Sequence, residues 1–501
     1  MAVTQLGKEW TKRDLVKSIL YFFLHFVILV TIGAILLLWD KFDILAEHMR
    51  QVGAGYLYAL FCVFMLVIIT YLYYFFEDRA ILSSGKNIAL IFMLLDLSFI
   101  VSWLIGAYID IFARPVAFVA LMAFVLIGRR SGIFLNIISA LLLFIVDTFA
   151  GGISVENAYY SSLIIAFSAG MFAIFFCEKA RTRLHVVLVG MAIVVPVDVT
   201  IFLLEISTLV EGARGALEAF SSILLHMGYG LFGGVMSTIL FLAILPLFEV
   251  GFNCLTVYRL RELTTSDAKI LKKLKDEAPG TYNHSMIVAQ LAEASAAAIG
   301  ENMDYARAAA LYHDVGKLHY PEHFTENQGE YNLHDELTPE LSADIIRSHA
   351  KDGYNLIKAH HLPEFLADVA VQHHGTLPIR YFYAKALKMT DGELNIEDFS
   401  YMGPKPQTKL AAIIMIADAS EAAVRAVNAK KPEEVERAIR GIIEERMDLE
   451  QFSECDITMV ELTKIRQALV STLSGVYHHR VKYPTIKYKR TESGETKGEN
   501  S

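Results

Sequence analysis

Long apolar segments fill the first half of the sequence, and they constrain the fold more than any other feature. A hydrocarbon core about 30 Å thick requires roughly 20 apolar residues of helix to cross it. Eight segments meet or approach this length, and the fourth is the shortest. The predicted spans are about 16–38, 55–76, 87–109, 112–128, 131–150, 156–177, 184–206 and 221–249. The sequence therefore predicts a polytopic membrane half, in keeping with a mean hydropathy of +0.41.

Basic residues in the loops predict how these spans are oriented, because cytoplasmic loops are enriched in Lys and Arg. The basic residues that precede or open the first span are Lys8, Lys12, Arg13 and Lys17. Arg129 and Arg130 fall in a later inside loop, and Arg259 and Arg261 follow the last span. Eight spans would then place both the N-terminal residues 1–15 and the chain beyond the last span in the cytoplasm.

Six ionisable side chains lie inside the predicted spans, where they are costly and often mark a ligand or ion path. These residues are His25, Asp96, Asp147, Asp198, Glu205 and His226. Hydrogen bonds between helices, or a position near a wet interface, also explain such residues, and we favour that interpretation. No motif in this half identifies a transported substrate, so the roles of Asp96, Asp147 and Asp198 are left open.

Charged residues concentrate in the second half, where apolar residues recur at a helical spacing of three and four. Residues 251–282 predict an amphipathic connector, which Pro279 and Gly280 end. The helices predicted beyond it are about 283–299, 304–315, 340–349, 351–360, 363–373, 408–428, 432–446 and 457–478. The predicted fold class is all-α: a first span at 16–38, a short loop at 39–54, a seven-span bundle at 55–250, the connector, and a helical domain at 283–484. The polar tail at 485–501 predicts disorder.

The overall charge and the cysteines exclude several classes of partner. The net charge of -9 and the lack of a long basic stripe give no reason to expect a nucleic-acid polymer. The four cysteines are isolated in sequence, without the paired spacing of zinc or redox sites. The lipid bilayer is the partner that the spans imply, and homo-oligomer formation is left open.

Residues that commonly ligate metals interrupt the apolar faces of five predicted helices. His313, for example, follows Ala309 and Ala310 on one helix face. The full set is His284, His313, Asp314, His349, His373, His374 and Asp418. Burying so many polar groups without partners is expensive, so their convergence on one core predicts a divalent metal site. The imidazole of His313 can ligate one cation, and the two carboxylate oxygens of Asp314 can bridge to a second.

The order of these residues resembles the HD superfamily of metal-dependent phosphohydrolases. Longer strings, such as APGTYNHS, YHDVGK and QHHGT, are similar to the seven-transmembrane HD-domain family of bacteria. The similar strings lie at 278–285, 312–317, 326–328, 334–335, 348–349, 372–376, 381–383, 404–407 and 417–425. The resemblance covers the soluble domain almost from end to end, and it implies a location in the bacterial cytoplasmic membrane.

Members of that family hydrolyse cyclic di-AMP, so the resemblance implies a membrane-anchored phosphodiesterase that forms linear pApA with a two-metal-activated water. One metal would lie among His284, His313, Asp314 and Asp418, and Asp314 would bridge to the other. The ligands of the other would be His349, His373 and His374, although one of the adjacent pair could instead contact phosphate. Manganese or iron suits this set better than zinc. The alternatives are another cyclic dinucleotide or nucleotide substrate, and a non-catalytic nucleotide-binding membrane receptor.

Four further residues are candidates for substrate contacts. Lys317 follows His313 and Asp314 closely enough to contact a phosphate as a point charge, and we include it with them among the catalytic residues. The other candidates, which could either bind nucleotide or brace the core, are Lys405, Gln407 and Arg425.

The sequence departs from the family pattern in three places. The family usually carries a large extracytoplasmic domain after its first span, where this chain has only residues 39–54. Asn283 stands where many relatives have a second His, and Leu410 stands where an acid is expected. The related HD-GYP family, which cleaves cyclic di-GMP, is excluded because this chain has His-His-Gly at 373–375 and no Gly-Tyr-Pro.

Overall fold

The structure is a computed structural model of the chain, and it divides into two compact units, Met1–Glu262 and Leu263–Ser501. The residues that it describes are 10–39, 41–149, 156–178, 180, 182–210, 216–329, 331–390, 392–427 and 431–476. Within these residues the elements are helical, apart from one isolated bridge between Pro378 and Ser400. The all-α prediction is confirmed. The tail predicted at 485–501 lies outside the described residues.

Ten helices are described up to the end of the first unit. They are α1 (Lys12–Leu38), α2 (Leu45–Glu77), α3 (Arg79–Leu82), α4 (Gly85–Tyr108), α5 (Phe118–Leu126), α6 (Arg129–Phe149), α7 (Glu156–Cys177), α8 (Arg183–Val210), α9 (Ala216–Gly251) and α10 (Val257–Leu263). All but α3, α5 and α10 are long and apolar enough to cross a membrane, which gives seven candidate spans. Helix α2 begins within the predicted loop 39–54, because residues 45–51 are mostly good helix formers.

The fourth predicted span, 112–128, is not a helix of spanning length. A 3₁₀ turn at Ile111–Ala113 precedes α5, which has only nine residues. Pro115 lies between them and disfavours helix in the residue before it. Most of α5 is buried among the other helices. A run that is apolar on every side cannot be distinguished from a lipid-facing span by periodicity alone.

The short segment nevertheless crosses the bundle. At its start, Arg114 pairs with Asp147, which lies near the carboxyl end of α6. At its other end, α5 stops at Leu126, and α6 begins at Arg129. The segment therefore runs beside α6 from one end of that helix to the other, and it packs against it. The described bundle therefore contains seven helices of spanning length and one shorter apolar segment, Ile111–Leu126.

Most of the ionisable residues predicted inside the spans are paired across helices. The pairs are His25 with Asp96, Asp147 with Arg114, and Glu205 with His226, at 2.9, 2.5 and 2.6 Å. Asp198 differs, since its Oδ1 is buried and makes no hydrogen bond within the described part of the chain. These contacts agree with the interpretation that such residues join helices.

The second unit contains the remaining described helices. They are α11 (Lys269–Glu277), α12 (Pro279–Ile299), α13 (Met303–Tyr312), α14 (Pro339–Ala359), α15 (Glu364–Gln372), α16 (Arg380–Leu387), α17 (Lys409–Ala426), α18 (Pro432–Asp448) and α19 (Met459–Val476). The helices predicted at 340–349 and 351–360 form one continuous α14, and α16 was not predicted. Helix α11 ends at Glu277, in agreement with the break predicted at Pro279. Pro279 itself begins α12, because proline at the first helical position loses no hydrogen bond.

Helix α12 lies at the centre of this unit, packed against α13, α17 and α19. Its buried alanines, which include Ala289, Ala292 and Ala296, allow neighbouring backbones to approach closely. Helix α14 packs against α15 and against the 3₁₀ turn Val315–His319 that follows α13. The packing brings the carboxyl ends of α13 and α15 to the interior of the unit, where the predicted ligands lie.

Candidate metal centre

Two of the predicted histidines lie at the carboxyl ends of their helices. His313 caps α13, and His373 caps α15. The Nδ1 of each lies within hydrogen-bond distance of a backbone carbonyl three residues earlier, at 2.6 Å from Ala310 and 2.8 Å from Ala370. A carbonyl only accepts, so Nδ1 is the donor in both rings. The other nitrogen, Nε2, faces the interior and is the atom that can ligate a metal.

His349 is oriented in the same way within α14. Its Nδ1 donates to the carbonyl of Ile346 at 2.5 Å. The turn that follows Asp314 packs directly on this helix, where Gly316 leaves no room for a side chain. A Cβ at Gly316 would lie 1.9 Å from the carbonyl oxygen of His349. The glycine of the His-Asp-Val-Gly-Lys string therefore allows the aspartate to approach His349.

Asp314 lies between two pairs of histidines, and its two carboxylate oxygens face different pairs. Oδ2 is 3.2 Å from Nε2 of His313 and 3.7 Å from Nε2 of His284. Oδ1 is 3.3 Å from Nε2 of His349 and 3.7 Å from Nε2 of His373. The carboxylate is almost completely buried. This is the arrangement that a carboxylate shared between two metals requires.

Helix α17 contributes two acidic residues to the same core. Oδ1 of Asp418 lies 2.9 Å from Nε2 of His284, and Oε2 of Glu421 lies 2.7 Å from Nδ1 of that ring. Glu421 is fully buried, yet the sequence analysis gave it no role. Its position three residues after Asp418 on one helix face is the signal that could have identified it.

The donor atoms form two groups, and within each the atoms lie within 4.8 Å of one another. One group is His284, His313, Asp314 and Asp418, and the other is His349, His373 and His374. Nε2 of His313 and Oδ1 of Asp314 are buried and make no hydrogen bond to any described residue. Buried polar atoms without partners are costly unless a ligand satisfies them. The cluster therefore has the donor set of a divalent metal centre.

Lys317 is held beside Asp314. Its Nζ lies 2.8 Å from Oδ2 of Asp314 and 2.7 Å from Oε1 of Glu326. The ammonium also lies over the ring of Phe324, 4.9 Å from its centroid. Lys317 thus already pairs with two carboxylates, and it offsets part of the negative charge of the centre.

The neighbouring charges keep the acidic groups of the centre ionised. Burial alone would raise the pKa of Asp314, but His313 and Lys317 lower this pKa well below its ordinary value. Burial would likewise raise the pKa of Asp418, but the neighbouring rings of His284 and His313 lower this pKa well below the ordinary range. Both carboxylates are therefore anionic at neutral pH.

His284 and His313 differ from His349 in protonation. Burial lowers the pKa of His284, yet its hydrogen bonds to Asp418 and Glu421 more than offset this and raise the pKa to about 9. Burial also lowers the pKa of His313, but the neighbouring carboxylate of Asp314 outweighs this effect and raises the pKa to about 10. Burial lowers the pKa of His349 to about 4, so this imidazole is neutral at pH 7.

A cavity of 230 Å³ opens onto the cluster. Among the residues that line it are Tyr401, Phe324 and Arg425. A second cavity of 410 Å³ adjoins it, since the two share His284, Thr325, Glu326 and Arg425 as lining residues. Tyr401, which the sequence analysis did not identify, stacks on His374 with the ring centroids 4.3 Å apart. The cluster is thus accessible to a substrate.

The predicted substrate contacts lie in two different places. Lys317 and Arg425 line the cavity above the cluster. Lys405 instead donates to Oγ of Ser453 at 3.2 Å, and the side-chain amide of Gln407 lies 3.5 Å from Glu454. Neither Lys405 nor Gln407 is among the residues that line the two cavities. They lie in the segment before α17, where no helical periodicity relates a side chain to the core.

The domain and its site define the class of protein. The family model described as HD domain matches residues 281–423, which include all seven predicted ligands. A second model, described as 7TM receptor with intracellular HD hydrolase, matches residues 52–256. The chain belongs to this family of multi-pass membrane proteins, whose description places the HD domain inside the cell.

Two curated relatives carry the same printed description, "Cyclic-di-AMP phosphodiesterase PgpH". The relative from Bacillus subtilis (strain 168) is 36% identical over 432 residues, covering 84% of this chain and 59% of its own length. The relative from Listeria monocytogenes serotype 1/2a (strain 10403S) is 48% identical over 267 residues, covering 53% of this chain and 37% of its own length. This chain therefore spans less than two thirds of either relative.

A solved structure also matches part of this chain. It is the crystal structure of the HD domain of the L. monocytogenes phosphodiesterase PgpH in complex with cyclic-di-AMP. It is 50% identical to this chain and covers 43% of this chain and 99% of its own, with a TM-score of 0.41.

Proposed function

We propose that this chain is a membrane-bound, metal-dependent phosphodiesterase that hydrolyses cyclic di-AMP to linear pApA. The observation that carries the proposal is the position of Asp314, whose two oxygens face separate groups of buried histidines. The two PgpH relatives match 84% and 53% of this chain, and their described activity supports the choice of substrate.

The residues of the centre form two groups of metal ligands. His284, His313 and Asp418 would hold one divalent ion, and His349, His373 and His374 the other, with Asp314 shared between them. Two such ions lower the pKa of a bridging water and offset the charge that develops on the phosphate. The donor set of His and Asp, without a Cys among the residues that line the cavity, favours manganese or iron over zinc.

Other residues of the cavity would position the substrate. The guanidinium of Arg425 is about half exposed, and its planar fork suits the oxygens of a phosphodiester. Addition of water across one P–O3′ bond would leave a 5′-phosphate and a 3′-hydroxyl, which opens the ring. The adjoining cavities of 230 and 410 Å³ offer space for the two halves of a cyclic dinucleotide.

The proposed location takes the shorter segment Ile111–Leu126 to cross the membrane together with the seven helices of spanning length, which makes eight crossings. An even number of crossings would return the chain to the side from which it started, so the N-terminus and the HD domain would both lie in the cytoplasm. The basic residues Arg129 and Arg130 at the start of α6 fit the same orientation. We therefore infer a multi-pass protein of the bacterial cytoplasmic membrane whose substrate is cytoplasmic.

The test is a substrate panel on the full chain, purified in detergent and loaded with Mn²⁺. Cyclic di-AMP, cyclic di-GMP and a mixed cyclic dinucleotide would be supplied separately, and the linear products separated by chromatography. We expect the highest kcat/KM for cyclic di-AMP. A preference for another cyclic dinucleotide would refute the choice of substrate. Bound metal without turnover of any of them would instead favour a nucleotide-binding receptor.

A further inference from the structure

We propose that Glu421 is a positioning residue, which holds His284 for a metal and Arg425 for the substrate at the same time. The inference rests on the proposed function, because it takes the histidine and aspartate cluster to be a metal centre. Glu421 is fully buried on α17. Neither its spacing nor the family resemblance gave it a role, so its contacts alone carry the argument.

His284 is oriented differently from the other interior histidines. Three other buried histidines of the cluster donate Nδ1–H to a backbone carbonyl of their own helix, namely His313, His349 and His373. His284 lies inside α12, and its Nδ1 lies 2.7 Å from Oε2 of Glu421. A carboxylate accepts, so Glu421 keeps the proton on Nδ1. The atom left to ligate is Nε2, which faces Asp314 and Asp418.

The group that accepts from Nδ1 of His284 is a charged carboxylate, whereas neutral backbone carbonyls accept from Nδ1 of the other three rings. A carboxylate that accepts from the far nitrogen of a ligating imidazole fixes the ring and raises its basicity. The His284 side of the cluster then has three carboxylates close by, those of Asp314, Asp418 and Glu421. The other group of donors consists of histidines, with Oδ1 of Asp314 at 3.3 Å from His349 and Oδ2 of Asp418 at 4.0 Å from His374. The two metal sites should therefore differ in affinity, with the tighter site at His284.

The second oxygen of Glu421 faces Arg425. Oε1 lies 3.4 Å from Nη1 of Arg425, one helical turn further along α17. The guanidinium lines both cavities, while the carboxylate beneath it is buried. One buried carboxylate thus joins a metal ligand to the group that would bind the phosphate. A shift of Glu421 would disturb both.

The experiment compares the full chain with its Glu421→Gln variant, using Mn²⁺ as the probe and electron paramagnetic resonance to measure the free ion. Glutamine has nearly the same size and can still accept from His284, but it carries no charge. We expect the unaltered chain to bind two Mn²⁺ ions. In E421Q one site should weaken by about 10- to 100-fold, as is typical when an outer partner of a metal ligand is lost, while the other is unchanged. The KM for cyclic di-AMP should rise as well.

Two further variants control for folding and for general effects of the substitution. Glu461→Gln makes the same chemical change on α19, where Glu461 pairs with Lys409 at 2.7 Å and lines neither cavity. Both Mn²⁺ affinities should be unchanged in E461Q. Glu421→Asp keeps the charge but withdraws the carboxylate, so it should weaken the same single site. If E421Q does not fold, as judged by circular dichroism and elution volume, the Mn²⁺ affinities of E421D test the role of Glu421 instead.

The results that would contradict the role of Glu421 differ from those that would contradict the proposed function. Two Mn²⁺ sites of unchanged affinity in E421Q, or in E421D where only that variant folds, would overturn the role of Glu421 and leave the proposed function intact. Equal weakening of both sites would also overturn it, since the effect would then be a general one. A failure of the unaltered chain to bind Mn²⁺ would overturn the proposed function itself.

Discussion

The two units of the chain bury the same kinds of ionisable residues and use them differently. In the membrane bundle most of the ionisable groups predicted inside the spans form pairs, as His25 does with Asp96 and Arg114 does with Asp147, and Asp198 differs. In the HD domain they converge, and Asp314 alone lies within 4 Å of four histidine side chains. In a pair each member has its partner within the bundle, although Nε of Arg114 makes no hydrogen bond to the described residues. A converging group with unsatisfied atoms requires a ligand.

The hydrogen bonds of individual atoms show this difference between the bundle and the HD domain. Both nitrogens of the Arg114 fork reach the carboxylate of Asp147, at 2.5 and 2.9 Å. In contrast, Nε2 of His313 and Oδ1 of Asp314 make no hydrogen bond to the described residues. Burial and residue type are therefore poor guides to function on their own, and the number of partners distinguishes the two regions better.

The largest expected effect is at the converging group. Replacing His313 and Asp314 together by Ala removes one ligand and the shared carboxylate, so neither metal keeps its donors. We expect turnover of cyclic di-AMP to fall by at least about 1000-fold and Mn²⁺ binding to be lost. Turnover and bound metal would be measured on one preparation, with E461Q as the control. Turnover that survived this double change would rule out a two-metal mechanism.

The next effect is on stability and concerns the bundle. Arg114→Ala leaves the carboxylate of Asp147 buried and unpaired, which costs about 3–5 kcal/mol for a broken buried ion pair. The free energy of unfolding in mixed detergent micelles would measure it. Replacing both residues by Leu should restore most of the stability, since no charge is then left without a partner. If the double Leu variant were stable but inactive, the pair would have a functional role and the contrast would fail.

The third effect is on the pH dependence of metal binding. With pKa values of about 9 at His284 and about 10 at His313, both rings hold an extra proton between pH 6 and 8 when no metal is bound. Metal binding must release these protons, so affinity should rise with pH by about tenfold per unit for each proton released. Mn²⁺ titrations of chelator-treated chain would test it. An affinity independent of pH would mean that the two rings are already neutral.

The smallest effects separate the two sets of predicted substrate contacts. Arg425→Ala removes a guanidinium from the cavity wall, and we expect KM to rise about tenfold. Lys405→Ala should change KM by less than about twofold, because Nζ of Lys405 contacts Ser453 away from the cavities. Steady-state kinetics with cyclic di-AMP would measure both. Equal effects of the two substitutions would show that the substrate extends beyond the cavities.

The sequence predicts the converging residues well because helical spacing relates each of them to an apolar face. His313, His349 and Asp418 all follow small or aliphatic residues by three and four positions, and the structure brings all three to one core. Their roles as ligands stay a prediction. Glu421 shares a helix face with Asp418, but it was not among the predicted ligands, because it contacts the imidazole of His284 rather than lying with the donor atoms.

The sequence predicts least where apolar character is uniform or periodicity is absent. The segment 112–128 has the composition of a span. Helix α5 is nevertheless short, because Pro115 disfavours helix in the residue before it, and most of α5 is buried among other helices. Lys405 and Gln407 lie in a stretch without regular structure, so nothing in the sequence indicates which way they face. Pairing across helices, as between Arg114 and Asp147, depends on tertiary packing and not on local sequence.

The hydrogen bonds from Nδ1 to backbone carbonyls have a consequence for how the centre assembles. His313, His349 and His373 are each tied to a carbonyl of their own helix, so the direction of each ring is determined when the helix forms. Little rotational freedom is left for a cation to remove on binding, and such preorganisation favours affinity. The donor constellation is thus a product of helix folding, and it should persist through cycles of metal loss and reloading.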